Sequence, residues 1–135
     1  MKPHQYPLIE KIKPNILIVD DDEPLRTLLR DVFVQEGMHT IALASDGLEA
    51  IELLNPVQDR AFHVAFVDVV MPGLDGFGVL RYIKEHRPEI KVIMITAYKD
   101  LKLGVEAKRL GASSFVAKPL MRRDLLQTLE DALAG

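Results

Sequence analysis

From Asn15 onward the chain alternates between two hydrophobic rhythms. Unbroken apolar runs of strand length stand at Ile16-Leu17-Ile18-Val19, Val64-Ala65-Phe66-Val67, Val92-Ile93-Met94-Ile95 and Phe115-Val116-Ala117. Short runs without alternation, rich in β-branched residues, predict strands buried on both faces, as in a parallel sheet. His39-Thr40-Ile41-Ala42-Leu43 is more polar and predicts a strand at a sheet edge. Helical stripes fill the gaps. Leu25, Leu28, Leu29, Val32 and Phe33 recur at helical spacing and stop at Gly37, a natural helix C-terminus. Leu48, Ile51 and Leu54 stop before Pro56, and Phe77, Leu80 and Ile83 stop before Pro88. Leu103, Ala107 and Leu110 predict a weaker helix ending at Gly111, with Gly104 inside it at a cost of about 1 kcal/mol relative to alanine. Leu125, Leu129, Ala132 and Leu133 predict the last helix.

Five strands alternating with five helices define an α/β domain. Parallel strands need crossover connections, and these are right-handed. The simplest result is a doubly wound five-stranded parallel sheet, a flavodoxin-like (βα)5 fold with strand order 2-1-3-4-5. Residues 1–14 read as an N-terminal extension in which Pro3, Pro7 and Pro14 interrupt any regular element, and residues 15–135 as one domain.

Composition narrows the choices. At 135 residues and 48% hydrophobic, the chain suffices for a single domain with its own core. It has no cysteine, which removes disulfides, zinc–thiolate sites, iron–sulfur clusters and cysteine nucleophiles. No apolar stretch approaches the roughly 20 residues of a membrane helix, and the first residues lack the pattern of a signal peptide. A formal net charge of −3 gives no charge-based reason to expect direct nucleic-acid binding.

Sheets of this kind bind ligands beyond the carboxyl ends of their strands. Strand 1 is followed there by Asp20-Asp21-Asp22, strand 3 by Asp68, strand 4 by Thr96-Ala97 and strand 5 by Lys118-Pro119. Asp20, Asp21 and Asp68 would crowd three carboxylates together there, which raises at least one pKa unless a cation neutralises them. Carboxylates without cysteine or convergent histidine suit a hard cation, Mg²⁺ above all. A carboxylate beside Mg²⁺ can attack phosphorus and form an acyl phosphate, with Lys118 and Thr96 placed to cover the transferring oxygens. Taken singly, each group has a plainer reading: Asp22 as the N-cap of a helix with Pro24 in its first turn, Asp68 as a turn former before Met71-Pro72-Gly73, Thr96 as a helix cap, Lys118 as a solvated lysine. Asp75-Gly76 reads as the turn that opens a helix, without chemistry of its own.

The stretches ILIVDDDEPLR, FVDVVMPGLDGFGVL, VIMITAY and GASSFVAKPL, in this order and spacing, resemble the response-regulator receiver family from about Asn15 to about Leu133. The resemblance implies that Asp20 and Asp21 bind Mg²⁺, that Asp68 is the phosphoacceptor, and that Val70 offers its backbone carbonyl to the metal. It implies that Thr96 is the switch hydroxyl, that Lys118 pairs with the phosphoryl group, and that the Lys118–Pro119 bond is cis. Phe115 stands at the aromatic switch position, where the family often has tyrosine. Val70 and Tyr98 lie where the family tunes hydrolysis of the phosphoaspartate, and both lack an acid or amide to orient water, so slow loss of phosphate is expected. The implied partner is a sensor histidine kinase or a histidine phosphotransfer protein in the cytoplasm. No enzymatic activity is expected beyond the chain's own phosphorylation and slow self-dephosphorylation.

The output face of the resemblance is the last strand with the two helices around it, Leu101–Leu110 and Met121–Leu133, which also offers a homodimer contact. Lys99, Lys102, Lys108, Arg109, Arg122 and Arg123 add basic charge there, or simply a solvated face. Neither a kinase nucleotide loop nor an output domain is visible, and the sequence fits either a free-standing receiver or part of a larger regulator or hybrid kinase. Two rivals are set against this reading. An aspartate-nucleophile phosphatase would use Asp20 and Asp22 as a D-x-D pair, but its next hydroxyl falls on Pro24. An inert interaction module would have lost the pocket, yet all the key residues are present.

Overall fold

The computed structural model describes residues 5–97 and 101–135, with Leu101 described in its backbone only. In chain order the elements are α1 (Pro7–Ile12), β1 (Ile16–Val19), α2 (Glu23–Gln35), β2 (Ile41–Ala44), α3 (Gly47–Leu54), β3 (Val64–Asp68), α4 (Gly76–His86), β4 (Lys91–Thr96), α5 (Leu101–Arg109), β5 (Ser114–Ala117) and α6 (Arg122–Ala134), with a short 3-10 turn at Pro56–Gln58. All strand pairs are parallel, and the sheet order is β2-β1-β3-β4-β5. This is the doubly wound, flavodoxin-like arrangement that the apolar runs predict.

The unbroken apolar runs are buried on both faces of the sheet. Leu17, Val19, Ala65, Val67, Val92 and Met94 face α3, α4 and α5. Their alternate neighbours Ile16, Ile18, Val64, Phe66, Ile93 and Ile95 face α1, α2 and α6. On the second face the Phe33 and Phe66 rings lie tilted at a centroid distance of 5.1 Å. β2 is an edge strand, as its polarity predicts, but it begins at Ile41, so His39 and Thr40 lie outside it. Gly37 follows the end of α2 with φ of 90°, the left-handed conformation that a helix C-terminus uses.

Two expectations change. The stripe Leu48–Ile51–Leu54 does not mark the inward face of α3: Leu48 is exposed, and Gly47, Ala50 and Leu54 are the buried positions. A Cβ on Gly47 would collide with Leu74, so a small residue lets that helix sit close to the loop after β3, which a count of large apolar side chains overlooks. The N-terminal extension also contains a helix. Pro7 occupies the first turn of α1, where its missing N–H costs nothing. Ile9 and Tyr6 are buried in the α2–α6 layer. Both oxygens of Glu130 on α6 accept the Leu8 N–H, at 3.1 and 2.9 Å, and one also accepts the Ile9 N–H at 3.0 Å. The first amides of α1 thus find a carboxylate more than a hundred residues away, a partner that local sequence does not reveal.

Candidate functional site

Parallel register carries the predicted rim residues to one place. Val19 pairs with Val67, so Asp20 and Asp68 each follow a partner by one residue on adjacent strands. Asp68 pairs with Ile95, and Thr96 pairs with Ala117, which precedes Lys118. Asp20, Asp21 and Asp68 each place a carboxylate oxygen so that all three lie within 4.8 Å of one another. The Lys118 ammonium stands 3.7 Å from Asp68 Oδ2. Asp68 sits at the point where the sheet's winding reverses, between β1 and β3, which is where such folds open a crevice.

The surroundings of the carboxylates are uneven. Asp20 is fully buried. Its Oδ1 accepts the Asp22 N–H at 2.8 Å, while Oδ2 accepts no hydrogen bond from a donor among the described residues. The nearby Arg26 does not serve it: that guanidinium donates to the Asp20 backbone carbonyl at 2.6 Å. Burial pushes the Asp20 carboxyl up to about 6; the Asp22 amide works against that, and the Asp68 charge adds to it. Asp68 is also raised, again chiefly by burial, with Lys118 and the Val70 amide pulling it down. The Val70 N–H reaches Asp68 Oδ1 at 3.3 Å, leaving Oδ2 on the lysine side.

A buried carboxylate oxygen with no donor is costly unless a cation approaches it. Three carboxylates around one point, with no sulfur or imidazole among them, form an oxygen donor set for a hard divalent ion. The donor set fits Mg²⁺, which Asp20, Asp21 and Asp68 would hold.

The remaining rim residues fall as follows. Thr96 is buried as the last residue of β4, and its carbonyl accepts the Lys118 N–H at 2.9 Å. The Lys118–Pro119 bond is cis. Val70 is exposed. Phe115 lies half-buried on the edge strand β5. Asp22 takes the N-cap position of α2, but its side chain makes no cap bond; its amide serves Asp20 instead. Tyr98 and Lys99 lie outside the described residues, as does the Leu101 side chain. Of the basic side chains toward the output face, Lys108 donates to the Ser113 carbonyl, Arg109 pairs with Glu106, and Arg122 reaches Gln35 and Glu36. Lys102 and Arg123 are exposed.

Gly76 has a part in the site that the turn reading of Asp75-Gly76 missed. Asp75 caps α4 by accepting the Gly78 N–H at 3.0 Å. A Cβ on Gly76 would fall 2.1 Å from the Asp68 carbonyl oxygen. Only glycine lets the start of α4 press against the backbone that carries Asp68. The signal in the sequence is the D-G pair after the acidic strand end, but nothing local shows what the glycine meets.

An open doubly wound sheet thus carries, at its switch point, a carboxylate cluster that could hold a metal ion, with a lysine beside it. The comparisons identify the family. The family described as the response regulator receiver domain matches residues 16–130, and the chain belongs to it. It is 39% identical over 120 residues to the transcriptional regulatory protein ZraR of Escherichia coli O157:H7, a match that covers 89% of this chain and 26% of that protein. The chain therefore spans about a quarter of that relative's length. Sporulation initiation phosphotransferase F of Bacillus subtilis is 38% identical over 104 residues, covering 77% of this chain and 81% of that one. Among solved structures, the receiver domain of NtrX from Brucella abortus superposes with a TM-score of 0.80 at 34% identity, covering 89% of this chain and 98% of that one. The chain is thus a receiver domain of the two-component response-regulator type. Among the described residues no helix is long and apolar enough to cross a membrane.

Proposed function

We propose that Asp68 accepts a phosphoryl group from a phosphohistidine presented by a sensor histidine kinase or a histidine phosphotransfer protein. The convergence of Asp20, Asp21 and Asp68, with the Lys118 ammonium 3.7 Å from Asp68 Oδ2, is the observation that carries this reading. An Asp68 carboxylate oxygen forms the new bond to phosphorus. The P–N bond to the donor imidazole breaks, and its electron pair stays on the departing ring nitrogen. Lys118 is placed to pair with the negative charge on the transferring oxygens, and buried Thr96 ends the neighbouring strand at the same rim. The Val70 amide holds Asp68 Oδ1 and so orients the carboxylate. Bound Mg²⁺ supplies charge neutralisation among the three carboxylates and the phosphoryl oxygens. Asp20, Asp21 and Asp68 would hold it, together with the Val70 carbonyl.

Phosphorylation adds charge and three strong acceptors beside Thr96 and Lys118. Drawing these groups inward biases the face made by α5, β5 and α6, with Phe115 moving between buried and exposed positions. That face contacts downstream partners or a second copy of the chain. The domain works in the cytoplasm as a switch, and its only chemistry is its own phosphorylation and slow self-dephosphorylation. The presence among its relatives of a phosphotransferase of similar length supports the phosphorelay reading.

The test is incubation with acetyl phosphate and Mg²⁺, followed by intact-mass measurement. Wild type gains one phosphoryl group and Asp68→Asn gains none. A phosphorylated Asp68→Asn chain, or an unmodified wild type that binds Mg²⁺, overturns the proposal.

A further inference from the structure

The loop between β3 and α4 runs past the acidic pocket. Its ends are drawn together by the Gly76 N–H, which donates to the Val69 carbonyl at 2.9 Å. Within that closure Val70, Pro72 and Gly73 are exposed, and Gly73 turns the chain with φ of 74°. Two side chains turn inward. Met71 is buried in the layer under α3 and α4, and Leu74 packs against the same layer. Leu74 is seated between two glycines from different helices. A Cβ on Gly47, the first residue of α3, would collide with the Leu74 carbonyl oxygen and stand 2.8 Å from its Cβ and 3.0 Å from its Cγ. A Cβ on Gly78, in the first turn of α4, would collide with Leu74 Cδ1 and stand 3.0 Å from Cγ; its next neighbour is Asp75 Oδ1 at 3.8 Å. Carbon atoms in contact settle about 3.5–4.0 Å apart, so both helices make room for this one side chain by carrying none of their own. Backbone conformation does not demand either glycine: Gly37, Gly73 and Gly111 are the glycines with positive φ among the described residues. Glycine is a poor helix former, and here two helices accept it opposite the same leucine.

We infer that Leu74 is a positioning residue for the metal site: its socket between Gly47 and Gly78 fixes the loop, and through the loop the Val70 backbone, beside Asp68. The inference deepens the metal reading under Proposed function and rests on it. The Val70 N–H reaches Asp68 Oδ1 at 3.3 Å, so this stretch of backbone stands at the pocket. The Val70 side chain is exposed, and the anchors of the loop lie further along it. Met71 supplies one before the turn at Gly73, and Leu74 supplies the other after it. A loop pinned on both sides of its turn presents its carbonyls in one arrangement, so a cation does not have to order it on binding. Groups that orient a ligand without touching the ion typically cost tenfold or more in metal affinity when removed. Leu74 is placed to act in that way, although none of its atoms is a candidate ligand.

The experiment titrates the full ¹⁵N-labelled chain with Mg²⁺, following amide resonances, and measures relaxation of the Val70 amide in the metal-free protein. Leu74→Ala binds the ion about tenfold more weakly than wild type, and the order parameter of the Val70 amide falls. Leu74→Met refills the socket and stays close to wild type in both. Gly78→Ala favours the helix, yet it weakens Mg²⁺ binding because its Cβ displaces Leu74. In the Leu74→Ala background the same change costs nothing further, since the two overlapping carbons are gone. A purely structural role shifts the unfolding midpoint and leaves Mg²⁺ affinity and Val70 order where they were, and that result overturns the inference. An equal loss from Gly78→Ala in both backgrounds overturns it too. If Leu74→Ala folds poorly, Gly78→Ala alone decides: weakened Mg²⁺ binding supports the socket, and unchanged binding sinks it. If the wild type takes up no Mg²⁺, the metal reading fails, and the order of the Val70 amide in Leu74→Ala still decides whether the socket holds the loop.

Discussion

On folding, Asp20 leaves water and gains one hydrogen bond where its carboxylate has room for several. Its carboxyl is raised from 3.8 to about 6, first by burial. Between about pH 4 and 6 the native state therefore holds a proton that the unfolded chain releases. The stabilisation linked to that proton is complete below about pH 4 and is lost as pH rises through about 6. In the metal-free protein the ionised group costs on the order of 3 kcal/mol at neutral pH, from 1.36 kcal/mol per pH unit. Asp20→Asn keeps the shape and removes the charge. Urea unfolding in chelator at pH 7 is expected to show the variant more stable than wild type by about 1–3 kcal/mol, with the gap closing toward pH 4. A variant less stable than wild type at pH 7 would mean that Asp20 is satisfied in some other way. The acidic residues themselves were readable as candidates from their places after apolar runs. The inequality among them was not, because it depends on which oxygen meets an amide and which meets nothing.

Among the elements, α1 departs furthest from the pattern that the sequence suggests. Three prolines in the first fourteen residues argue against regular structure, yet one of them opens the helix. The helix is six residues long, too short to hold itself together in water. Its stability comes from buried Ile9 and Tyr6 and from the Glu130 carboxylate on α6. Glu130→Ala leaves the Leu8 and Ile9 amides without that acceptor and is expected to cost about 1–3 kcal/mol. Hydrogen exchange checks it: the amides of α1 lose protection first, while those of β1 and β3 keep theirs. Unchanged protection in α1 would show that packing alone holds the helix. The strands and the long helices were legible because their signal is local and periodic. A helix capped from the far end of the chain, and a helix such as α3 that packs through small residues, carry no such signal.

For the molecule as a whole, fold and site are linked through the acidic pocket. The sheet brings the carboxylates together only when strands far apart in the sequence are paired, so a divalent ion is expected to bind the folded chain and not the unfolded one. Mg²⁺ at a hundred times its dissociation constant is expected to add about 2.7 kcal/mol of stability. Protons compete for the same oxygens, and the raised Asp20 and Asp68 carboxyls are the ones that take them. Thermal unfolding with and without Mg²⁺ checks this. The melting temperature rises with the ion near pH 7.5, rises little near pH 5, and does not respond in Asp20→Asn. An equal rise at both pH values would place the ion elsewhere.

The cap on α1 has a consequence for synthesis. A chain leaves the ribosome from its first residue, so the amides of Leu8 and Ile9 emerge more than a hundred residues before the carboxylate that receives them. Until Glu130 has cleared the exit tunnel the opening segment has no docking place of its own. Helix α1 is thus made well before α6 and is among the last elements of the domain to settle.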